Sequence, residues 1–227
     1  MVAAGAAVAA GATACNVQPG AAAFVGDDRI TQAQVNDVFQ SIVDAPAYTN
    51  VRQSDYANIR TSVAGALIMR DLTKRVAADQ HIEIPPADYA TMAKQTKLPQ
   101  SNRYVRLEAE NQAAINTLRN EAWDTPPSDS DVRAIYDTLA AQGFTMPYQQ
   151  AGPQIKKAPK VGQTAALRGT FEGAIKKYGV DVNPRYGELK YPLDAVHVGP
   201  LSGYLTVDLG EGSPKVVDVV STGSVQS

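Results

Sequence analysis

One stretch constrains the fold more than any other. From about Ser54 to Gln80, the residues Tyr56, Ile59, Val63, Leu67, Met69, Leu72 and Val76 recur at three- and four-residue steps but for the pair Leu67 and Met69. That is the period of a single apolar face on an α-helix. At about 1.5 Å per residue such a helix reaches roughly 40 Å. Its stripe has to be covered by other elements, and most of the remaining sequence reads as further helices.

Upstream, Phe24 to Ile30 (FVGDDRI) reads as a tight hairpin with a Gly-Asp-Asp turn. Thr31 then opens a helix, with Gln34 three residues on as in a capping box. Val35, Val38, Phe39 and Ile42 form its apolar face, and Ala45-Pro46 stops it. Downstream, Pro86 is expected to begin a short helix through about Lys94. Ser101 is expected to cap a long one to about Trp123, and Ser128 or Asp129 to cap another running from Val132 to Gln142. Residues 144–162, rich in proline and glycine, read as a loop. A final helix is expected over Gln163 to Tyr178, followed by a strand from Val180. The tail from Val196 contains strand-like pieces, Tyr204–Leu209 and Val216–Val220, and reads as partly loose. The fold class is therefore mainly α.

Composition narrows the function classes. Apolar residues make up 44% and charged residues 19%, which suits a packed core. With 21 basic against 23 acidic residues the net charge is −2, so no clustered basic surface for nucleic acid is expected. A single cysteine, Cys15, excludes an internal disulfide and a multi-cysteine metal site; the histidines are only His81 and His197.

Cys15 follows an uncharged small-residue run, Met1 to Ala14. The run is too short to span a bilayer but matches the apolar part of a secretion signal, with Ala12-Thr13-Ala14 before the cut. The arrangement resembles the lipobox of bacterial lipoproteins and implies Cys15 as a lipid-attachment residue on the outer face of the cell membrane. Ala12 stands where leucine is usual, and no Lys or Arg precedes Arg29, which points to a natural start upstream of Met1. The expected organisation is a signal remnant (1–14), a tether (15–23), a helical domain (24–190) and an irregular or β tail (191–227).

The opening Phe24 to Phe39 (FVGDDRITQAQVNDVF) resembles that of SurA- and PrsA-type foldases, through Gly26, Ile30 and Thr31. Ser128 to Tyr136 (SDSDVRAIY) is similar to a later helix of that family, and Phe171 to Gly187 (FEGAIKKYGVDVNPRYG) to its closing helix and strand. The resemblance implies that the closing strand lies beside the N-terminal hairpin, making a small β element on a SurA N-terminal-like helical body. The family's parvulin-type isomerase domain, about ninety residues long, has no room between Gly143 and Gln163.

No other chemistry stands out. Asp27-Asp28 falls in a turn, Glu108 and Glu110 lie two apart on a helix and cannot face each other, and no nucleophile, metal or phosphate motif occurs. Lys156, Lys157 and Lys160 read as a solvated linker or a contact for anionic head groups. Ten tyrosines against four phenylalanines suit permissive contact with extended peptides, and Tyr56, Tyr89, Tyr104 and Tyr136 are the candidate peptide-binding residues. The expectation is a lipid-anchored chaperone-like module for unfolded or newly exported proteins, without metal, cofactor or nucleic acid. A degenerate prolyl isomerase and an accessory lipoprotein with one fixed partner are the alternatives.

Overall fold

The computed structural model describes residues 20–122, 126–198 and 201–210. It is mainly helical, with seven α-helices among those residues and two small antiparallel sheets. The chain enters through β1 (Ala21–Val25), turns at Gly26 and returns as β2 (Asp28–Thr31). Gly26 sits at φ +60°, a left-handed conformation that glycine adopts without clash. The hairpin is where the sequence places it, but it starts earlier than Phe24. Ala21, Ala22 and Ala23, expected in the tether, are at most 1% exposed. Composition alone makes an alanine run look like a linker; here β1 is the middle strand of β2-β1-β3 and is covered on both sides.

Thr31 caps α1 (Gln32–Val43) through a complete capping box with Gln34, and α1 buries Val35, Val38, Phe39 and Ile42 as expected. The long helix is α2 (Tyr56–Asp79). Of the predicted stripe it buries Val63, Leu67, Met69, Leu72 and Val76 and leaves Tyr56 and Ile59 half-buried; it also buries Ala64, Ala66, Ile68 and Ala77, because helices and strands from both ends of the chain pack against it. Its end is a Schellman motif: Ile82 N–H bonds to Ala77 C=O at 2.9 Å and His81 N–H to Ala78 C=O at 3.2 Å. His81 takes the left-handed position, at φ +56°.

Two helix starts differ from expectation. Pro85 and Pro86 lie outside the helix, and α3 (Tyr89–Thr96) begins after Asp88, whose carboxylate accepts the Thr91 N–H at 2.9 Å. Asn102, not Ser101, caps α4 (Arg103–Glu121), accepting the Tyr104 N–H at 2.9 Å. Asn102 also accepts from the Ser41 hydroxyl, so a tertiary contact selects it over its neighbour. Trp123 lies outside the described residues. Ser128 caps α5 (Asp129–Ala140) with a capping box to Asp131.

The expected loop 144–162 holds a helix, α6 (Tyr148–Lys156), with Pro153 inside it. Proline there removes one intrahelical hydrogen bond. Burial of Ala151, Gly152 and Ile155, in a core shared with α5, outweighs that loss. α7 (Val161–Tyr178) follows and ends at Gly179. Then β3 (Val180–Val182) pairs antiparallel with β1, Ala23 opposite Val182 and Val25 opposite Val180. Asn183 Nδ2 donates to Ala21 C=O at 3.0 Å across 162 residues of sequence. The hairpin and the closing strand thus share one sheet.

The tail is not loose through residue 210. β4 (Leu189–Val198) and β5 (Leu201–Gly210) form a hairpin, so position 190 falls inside a strand. Tyr191, Leu193, Val207 and Leu209 join the main core with α2 and α7, whereas Leu205 and Val196 join a smaller core with α5 and α6. Val216–Val220 lies outside the described residues.

Candidate functional site

An open groove of about 650 Å³ runs between α3 and α4. Capping by Asp88 and the left-handed turn at Lys97, φ +56°, fix α3 as a short helix lying across α4. One wall carries Thr91, Met92 and Gln95 of α3, with Pro85 and Pro86 before them; the other carries Ala109, Gln112, Ala113, Asn116, Thr117 and Asn120 of α4. Across Pro85-Pro86 the groove adjoins a cleft of about 300 Å³ between α2 and α4, lined by Lys74, Tyr89, Glu110 and Asn111 among others.

Asp88 is the one acidic or basic residue in the groove lining. Hydrogen bonds from the Thr91 hydroxyl, at 2.6 Å, and the Thr91 N–H hold its carboxyl below the usual value, so it stays ionised. The remaining polar lining is uncharged. Gln112, Asn116 and Asn120 stand at four-residue steps and so share one face of α4. Gln112 Nε2 donates to Asn116 Oδ1 at 3.0 Å, and Arg119 Nη2 donates to the same oxygen at 2.6 Å.

The four candidate tyrosines do not converge. Tyr89, the first residue of α3, lines the smaller cleft; its hydroxyl donates to Glu110 at 3.2 Å and the Arg106 guanidinium lies 5.0 Å from its ring centre. Tyr56 packs edge-on against Phe39 at 5.2 Å. Tyr104 is half-buried against the main core. Tyr136 belongs to the smaller core, its ring against Phe144 and Tyr148 and its hydroxyl donating to Met146 C=O at 3.0 Å. Only Tyr89 sits beside the groove.

A second polar centre lies between α4 and β4. Tyr191 donates its hydroxyl to Glu108 at 2.8 Å, and Tyr104 hydrogen-bonds the same carboxyl from one turn back on α4. Burial pushes the Glu108 carboxyl and both phenols up, the carboxyl against the opposing pull of those two hydrogen bonds. Asn111 is fully buried there, donating to Ala66 C=O at 2.9 Å. Glu108 does not meet Glu110, which instead faces Tyr89. The pairing of Tyr104 with Glu108 was readable from their four-residue spacing; Tyr191 comes from a distant strand and was not.

Elsewhere, Asp28 of the hairpin turn pairs with Arg75 at 2.7 Å. Lys156 ends α6 and pairs with Asp129 at 3.5 Å; Lys157 follows it, and Lys160 precedes α7 at φ +66°. His81 and His197 are both exposed. Among the described residues, no three His, Cys, Asp or Glu side chains gather in a metal-holding group, and no helix is long and apolar enough to cross a membrane. Cys15 lies outside them. No family model matches this chain, and neither a curated protein nor a solved structure matches it.

Proposed function

We propose that the chain is a lipid-anchored, extracytoplasmic chaperone-like module of the SurA N-terminal type, which holds unfolded or newly exported polypeptides in the groove between α3 and α4. The observation that carries this reading is the groove's surface: elongated, open, and made of proline, alanine and methionine interleaved with amides and hydroxyls. Such a surface meets apolar side chains and peptide groups alike, with a single fixed charge to select against acidic clients. Weak, permissive binding is enough for a chaperone, because any species that prefers the unfolded state lowers its free concentration.

The architecture supports the family reading, since the opening hairpin and the closing strand share β1. The anchor would be Cys15, five residues before Gly20. Five extended residues span at most about 18 Å, so the body would stay close to the bilayer surface.

Anisotropy of a labelled client tests the proposal. A reduced and alkylated, permanently unfolded protein is expected to bind the full chain, and the same protein in its native form is not. Equal binding of both forms, or of neither, contradicts it.

A further inference from the structure

The groove contains a pattern more specific than general permissiveness. We infer that it recognises the backbone of its client rather than the side chains, through the carboxamide stripe Gln112, Asn116 and Asn120. This rests on the proposal that the groove binds peptide, and narrows the substrate class to an extended, uncharged polypeptide segment.

Three observations converge on this. The first is spacing. Four residues of helix advance about 6 Å, and two residues of an extended strand advance about 6.6 Å. Successive carboxamides on α4 therefore keep step with every second peptide unit of a strand laid along the helix. From Gln112 to Asn120 the stripe covers about 12 Å, or about four extended residues.

The second is hydrogen-bonding capacity. A carboxamide offers the same donors and acceptor as a peptide group. Gln112 commits its amide to Asn116, which leaves Oε1 to accept a backbone N–H. Asn116 Oδ1 already takes two donors, which leaves Nδ2 to donate to a backbone carbonyl. Asn120 and, on the facing wall, Gln95 make no side-chain hydrogen bond among the described residues and are both exposed. The third is access. Ala109 and Ala113 keep the α4 side of the groove low, so a main chain can come close, and the only charge in the lining is the Asp88 carboxylate, bound to Thr91.

The experiment uses the full ¹⁵N-labelled chain and an acetylated, amidated peptide of alanine, serine and threonine, with an analogue N-methylated at alternate backbone nitrogens. The side-chain amide signals of Gln112, Asn116 and Asn120 are expected to shift on titration. The methylated analogue is expected to bind about tenfold more weakly, as losing one or two net hydrogen bonds implies. The double variant Gln112→Ala with Asn120→Ala changes two exposed side chains, leaves Asn116 on Arg119, and is expected to lose a similar factor. Equal affinity for the methylated peptide, or unchanged binding by the double variant, overturns the inference. If those results come with intact binding of the unfolded client, backbone recognition falls and the chaperone reading stands. If the peptide shifts the stripe as expected while the unfolded client is not bound, the groove assignment stands and the chaperone reading falls.

Discussion

Glu108 shows how one residue can set a pH dependence without any role in binding. It sits between α4 and β4, hydrogen-bonded by Tyr191 and Tyr104, and burial raises its pKa in the folded state. A carboxyl raised on folding contributes stability below its unfolded pKa and loses that contribution as pH rises through the folded value. Asp79 and Asp88 run the other way, since their hydrogen bonds lower them and their contribution disappears in acid. The Glu108→Gln variant should therefore differ from the wild type in slope: urea midpoints across about pH 4 to 8 should show the wild type losing ground to the variant as pH rises. A constant difference between the two would contradict the assignment. The sequence alone showed that Glu108 cannot face Glu110 and that Tyr104 stands one turn away. It could not supply Tyr191, because a partner 83 positions away is created by the docking of a strand.

At the scale of elements, the β4–β5 hairpin joins the two cores and is itself fastened at several points. Arg119 of α4, 4% exposed, donates to Asp194 of β4 at 2.7 Å, and the Thr138 hydroxyl of α5 accepts the Tyr204 N–H at 2.9 Å. The outer edge of β4 is blunted by Pro192, which has no N–H, and by the Asp194 carboxylate, which accepts the Ala195 N–H at 2.9 Å. β5 comes so close to α5 that only glycine fits at position 203. A Cβ there would lie 2.8 Å from Ile135 C=O and 2.9 Å from Leu139 Cγ, and the carbonyl has nowhere to go. Gly203→Ala should destabilise the fold by about 1–3 kcal/mol, as overpacking usually does; an unchanged thermal midpoint would show that β5 sits further out. Tyr204–Leu209 was legible as strand from its alternation. β4 was not, because Pro192 breaks the pattern at the point where it protects the edge. α6 was hidden for a related reason: Pro153 and its glycine neighbour read as loop, and only burial of Ile155 makes them helix.

Over the whole molecule, the opening hairpin meets the segment that follows α7: Gly26 N–H bonds to Gly179 C=O at 2.9 Å, Asn183 N–H to Ala22 C=O at 2.9 Å, and β1 lies between β2 and β3. The Gly26 turn and the Val180 strand were legible in the sequence, their pairing only as what the resemblance implied, and the closure holds α2 and α4 as the frame on which α3 leaves its groove. The groove itself was only half legible. The four-residue spacing of Gln112, Asn116 and Asn120 was there to be seen, but a polar stripe on a helix ordinarily faces water, and the wall that turns it into a groove depends on where Pro85-Pro86 sends α3. The tyrosines pointed elsewhere, since three of the four are taken up in packing. The central claim is that this groove retains unfolded chains without acting on them. The most direct measurement dilutes a denatured, unrelated protein into buffer with an equimolar amount of the full chain and follows light scattering. The account predicts a clear fall in scattering, with proline-limited refolding of a second protein no faster than background. Scattering that is unchanged, or refolding that accelerates, would contradict it.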